Sequence, residues 1–111
     1  MQILDITAKD ESAVEITFTY TDKDGIAVTP DTVTWTLTDF DGKVINSRKD
    51  VSIAVPSTKN SFLLQGDDIN TKDGLVRIVT CDAVYTSATY GAGIPLRDQG
   101  QFNISAFTEP K

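Results

Sequence analysis

The 111-residue chain contains no histidine and a single cysteine, Cys81. Without imidazole it lacks the side chain that most often serves as general base and metal ligand near neutral pH. One cysteine closes no internal disulfide and builds no cysteine-based zinc site. With no histidine to activate it, Cys81 reads as a small core hydrophobe rather than a nucleophile. No apolar run approaches the roughly 18 residues of a spanning helix. The opening MQILDITAKDESAVEI has neither a basic region nor a long apolar one, so no encoded export signal is expected. No 3.6-residue period is sustained, which leaves room for a helix of a turn or two at most, with DDIN at 67–70 its natural place. Positive charge is short as well: 10 Lys and Arg against 16 Asp and Glu give a net charge of −6. Such a field repels phosphate backbones and anionic headgroups, so neither nucleic acid nor a membrane is expected as a direct partner.

What the sequence does have is alternation. AVEITFTY at 13–20 puts Val14, Ile16, Phe18 and Tyr20 on one face, and TVTWTLT at 32–38 puts Val33, Trp35 and Leu37 on one face with threonines opposite. SFLLQ at 61–65 offers Phe62 and Leu64, and QFNISAF at 101–107 offers Phe102, Ile104 and Ala106. LVRIVTCDAVYTS at 75–87 is apolar on both parities, as expected of a central strand covered on both faces. Shorter strands are expected at 3–7, at 44–46 and over 51–55. Short strands separated by turn signals predict an all-β chain, an Ig-like antiparallel β-sandwich of about seven strands with no long helix. Trp35 on the third strand suits such a core, and a small barrel is the alternative. The length fits one domain, 1–111, with 108–111 a fraying tail.

Two acidic stretches, TDKDG at 21–25 and TDFDG at 38–42, invite a calcium reading. Each supplies only two alternating carboxylates and no closing Glu, which falls short of an EF-hand-type loop. Asp-Gly instead supplies the positive φ of a tight turn while the preceding Asp bonds the local backbone. TKDGL at 71–75 reads the same way, and Asp67-Asp68 after Gly66 reads as a cap on a turn or short helix. No metal or cofactor is expected.

The segment TSATYGAGIPLRDQGQ at 86–101 reads as a long connection. Its Tyr90, Ile94, Pro95 and Leu96 form either a partner-contact surface or a plug over one end of the core. Ile78 and Val84, on the outer parity of 75–87, are a second contact surface.

The run TYTDKDGIAVTPDTVTWTLTDFDGKVI is similar to bacterial immunoglobulin-like domains of the invasin and intimin type. Over most of its length the chain more closely resembles small Ig-like proteins of tailed bacteriophages, through DKDGIAVTPDTVTWTLTDFDG, LLQGDDI, VRIVTCDAVYTS and GIPLRDQGQFNI in that order. Where the resemblance leads one to expect a glycine after an acidic residue in the penultimate strand, this chain has Asp82-Ala83. The resemblance implies a non-enzymatic virion structural protein: a capsid accessory or decoration subunit, or a small head–tail joint component. Its partners would be major capsid or neck proteins, met in multiple symmetric copies. It would be made in the host cytoplasm and found in the virion, and no catalytic residue carries over. A carbohydrate or cell-surface binding Ig-like module is the alternative, and a hydrolase using Asp67 and Asp68 a third reading.

Overall fold

The computed structural model describes residues 2–9, 12–22 and 24–105. Ala106, expected in the last strand, and the expected tail 108–111 lie outside them. Seven strands follow in order: β1 (Gln2–Lys9), β2 (Ala13–Thr19), β3 (Thr32–Thr38), β4 (Val51–Ser52), β5 (Lys59–Gln65), β6 (Val76–Ser87) and β7 (Gly91–Ser105). Single-turn 3-10 helices at Gly66–Ile69 and Thr71–Asp73 are the helical structure among the described residues, the first of them at the expected DDI.

The strands form a five-stranded sheet, β1-β7-β6-β3-β4, and a two-stranded sheet, β2-β5. Pairing is antiparallel except that β1 runs parallel to β7. With β2 and β5 in one layer and β3, β6 and β7 in the other, the arrangement is the Ig-like sandwich that the strand spacing predicts.

Alternation decides the register. Val33, Trp35 and Leu37 of β3 lie beside Val79, Cys81 and Ala83 of β6 on the inner side, and Ile16 and Phe18 of β2, Tyr20 just beyond it and Leu64 of β5 close the core from the other layer. Trp35 stacks on Phe62 with ring centroids 4.2 Å apart and planes 5° from parallel, so the aromatic pair bridges the two sheets.

Three expectations need correction. Residues 86–101 are not a long connection: β6 reaches Ser87, a short turn covers 88–90, and β7 returns from Gly91. β7 accommodates its glycines and Pro95 within one strand. The main chain of Val84 bonds toward β3, accepting from the Asp31 N–H, so Pro95 opposite it turns its nitrogen away from β6. β1 begins pairing only at Gly100, which leaves β7 an edge at Pro95, where no ladder bond is lost. Residues 44–46 form no strand, only a bridge from Val44 to Thr38, and the strand expected over 51–55 is two residues long. Asn46, Ser47 and Asp50 all take positive φ, a backbone too tightly turned for extended pairing.

Candidate functional site

The acidic loops are resolved by their hydrogen bonds, which are the same in both. Asp22 Oδ1 accepts from the N–H of Asp24 at 2.9 Å and of Ile26 at 3.0 Å. Asp39 Oδ1 accepts from the N–H of Asp41 and of Lys43, each at 2.9 Å. Gly25 (φ 78°) and Gly42 (φ 90°) complete the turns. These are Asx-type turns, as the sequence suggests. Asp73-Gly74 likewise closes a turn, with Gly74 N–H on the Thr71 carbonyl.

Asp68 is more than a cap. It has no accessible surface; Oδ2 accepts from the Gln65 N–H at 3.1 Å, and Oδ1 accepts from Asn46 Nδ2 at 2.9 Å and Arg48 Nε at 3.0 Å. Burial alone would raise its pKa, but these hydrogen bonds and the Arg48 charge outweigh it and hold the carboxyl below its ordinary value. Nearby, the equally buried Arg77 donates to the carbonyls of Asp68 (2.9 Å), Asn70 (2.7 Å), Gly74 (3.2 Å) and Val76 (2.9 Å). Arg77 thus fastens both 3-10 turns to β6. Neither the buried arginine nor the Asn46 and Arg48 partnership was foreseen from sequence; the one available signal was that Arg77 shares the parity of Val79 and Cys81.

Cys81 is buried, and burial first, then the Asp82 charge, pushes its thiol up to about 11. Tyr20 Oη is also buried, beside that thiol. Burial raises its pKa above the ordinary value.

The residues expected to contact a partner divide into two sets. Tyr90, Ile94, Pro95 and Leu96 come together along one cleft of about 480 Å³, completed by Thr21, Asp22, Tyr85 and Arg97. Tyr90 is 66% exposed and, with Asp22 and Tyr85, also borders a second cleft of about 350 Å³ running toward Asp24 and Val28. Leu96 also packs against the core, as the plug reading expects of this segment. Val84 is half-buried on the outer sheet face, opposite Pro95. Ile78 is buried on that face and offers no surface to a partner, which corrects the expectation that it is exposed there.

Local chemistry holds both walls of the cleft. On one side Thr21 bridges to Ala27, and the Asp22 turn fixes the tip. On the other, Ser87 Oγ accepts from the N–H of Thr89 at 3.1 Å and of Tyr90 at 3.2 Å, while Gly91 (φ 87°) lets the chain turn into β7. The walls are tied together where Thr86 Oγ1 donates to Asp31 Oδ2 at 2.6 Å. Arg97 pairs with Asp82 at the outer rim. The result is a cleft in which Ile94, Pro95 and Leu96 lie beside the polar groups of Thr21, Asp22 and Arg97, with both walls held in place by local hydrogen bonds.

The clefts lie between the β2–β3 connection and the β6–β7 turn, at the end of the sandwich that carries the binding loops in antibody variable domains. That correspondence is one of position only. No protein-family model, curated protein or solved structure matches this chain.

Proposed function

We propose that this chain is a non-enzymatic structural protein of a tailed-bacteriophage virion, a capsid accessory or decoration subunit or a small head–tail joint component. It docks on a neighbouring particle protein through the Tyr90 end of the sandwich. The virion assignment rests on the ordered runs from DKDGIAVTPDTVTWTLTDFDG to GIPLRDQGQFNI. The observation that carries the docking role is the cleft, in which Tyr90, Ile94 and Leu96 converge between walls held by their own hydrogen bonds. Ordered apolar anchors within a polar margin are the usual makings of a protein-binding patch.

The test is direct. Purified virions of the encoding phage are analysed by mass spectrometry, and the purified protein is sedimented with particles lacking it. Presence in virions and co-sedimentation are expected; absence from both overturns the assignment.

One observation favours a second reading, a carbohydrate or cell-surface ligand: the exposed Tyr90 ring stands in a cleft wall shared with Asp22 and Asp24. An aromatic face beside carboxylate acceptors suits a sugar. Retention on a glycan array that is lost with Tyr90→Ala would favour it over protein docking.

A further inference from the structure

Among the described residues, the two-stranded sheet has no neighbouring strand along either outer edge. Its ladder is regular from Ala13↔Gln65 to Thr19↔Lys59. The Tyr20 N–H bonds the Thr58 carbonyl, and the Gly66 N–H bonds the Ser12 carbonyl, so the even positions of β5 direct their main chain toward β2. Lys59, Ser61 and Leu63 therefore direct their N–H and C=O groups outward. The N–H of Gln65 is already taken by Asp68, which closes the lower end of this edge.

Natural edge strands are usually blunted by proline, a bulge or a central charge. β5, KNSFLLQ, has no proline or register shift, and its one charge, Lys59, sits at the end. The β2 edge, by contrast, carries Glu15. Exposed apolar side chains flank the β5 edge: Leu63 is 50% exposed, and Val55, whose carbonyl accepts from Asn60 Nδ2 at 3.1 Å, is 76% exposed.

Local charge admits a second copy as the occupant. Copies of a chain with net charge −6 repel one another wherever acidic surfaces approach within a Debye length of about 8–10 Å. Residues 51–66 contain no Asp or Glu, so a second copy can approach along this edge without opposing carboxylates.

We propose that β5 is a self-pairing edge: a second copy of this chain adds its own β5 antiparallel, about a two-fold axis beside Phe62. Ser61 of each copy then lies opposite Leu63 of the other, and Lys59 opposite Gln65, so no like charges face each other. The pairing satisfies the outward N–H and C=O groups of Ser61 and Leu63 and the Lys59 N–H, and it joins the two-stranded sheets of both copies into one. It is independent of the virion assignment.

Sedimentation equilibrium of the full chain, up to about 1 mM to capture a weak dimer, tests this. A concentration-dependent monomer–dimer equilibrium is expected. Ser61→Pro removes an outward N–H together with the Ser61 Oγ hydrogen bond to Thr17 Oγ1; it is expected to abolish the dimer in a domain that stays folded, whereas Ser61→Ala, which loses only the side-chain bond, should still dimerise. Leu63→Lys sets two like charges near the axis and is likewise expected to abolish the dimer; it decides the matter if the proline variant unfolds. Glu15→Lys, on the β2 edge, should leave the dimer in place. A monomeric wild type overturns the proposal, even if an extended segment of some other protein proves to occupy the edge. A dimer that survives in folded Ser61→Pro or Leu63→Lys overturns it equally.

Discussion

Arg77 occupies a position where an aliphatic side chain is the common solution, and its guanidinium replaces water for a cluster of loop carbonyls. Arg77→Met keeps much of the volume but strands those acceptors. A loss of about 3 kcal/mol or more is expected in urea unfolding, and Arg77→Lys, lacking the planar fork, should recover little of it. Asp68 adds a pH dependence with a definite sign. Its folded pKa is lowered, so its contribution is complete above the unfolded-state value near 3.8 and is lost as pH falls through the folded value below that. Wild-type stability should decline below about pH 4, and Asp68→Asn should flatten that part of the profile. At the centre of the core, Trp35→Ala removes the ring stacked on Phe62 and is expected to cost on the order of 3–5 kcal/mol, read from the same unfolding curves. Cys81, with its thiol raised to about 11, should resist alkylation at pH 8 in the native protein and react on unfolding.

At the scale of elements, β2 and β3 were legible because each has one buried face, so alternation alone fixes which residues turn inward. The Asx turns were legible because Asp-x-Asp-Gly carries its own hydrogen-bonding instructions. Asp22→Ala and Asp39→Ala should each cost about 0.5–2 kcal/mol by analogy with the loss of a helix cap. Melting curves with chelator and with millimolar calcium should superimpose; a specific site filled to about a hundred times its dissociation constant would add roughly 2.7 kcal/mol. The β6–β7 hairpin is harder to read from sequence, because Gly91, Gly93, Pro95 and Gly100 interrupt the alternation of a long strand. Yet Ile94, Leu96, Phe102 and Ile104 share one parity, and that continuity was the signal of a single strand. Ile78 shows the limit of parity reasoning: it identifies a face without saying whether neighbouring side chains cover it.

For the whole molecule, one wall of the candidate site could be read in sequence and the other could not. Tyr90, Ile94, Pro95 and Leu96 lie close together in the chain, so their grouping is local. Tyr85 joins them through the hairpin register, opposite Ile94, whereas Thr21 and Asp22 join only because the sandwich brings the β2–β3 connection beside the β6–β7 turn, a long-range consequence of strand order. We propose this assembled end as the docking surface. Its most direct test compares incorporation into particles for wild type and for Tyr90→Ala combined with Ile94→Ser, with circular dichroism and melting recorded on the same preparations. The account predicts a folded variant that no longer incorporates; a folded variant that incorporates as well as wild type would contradict it.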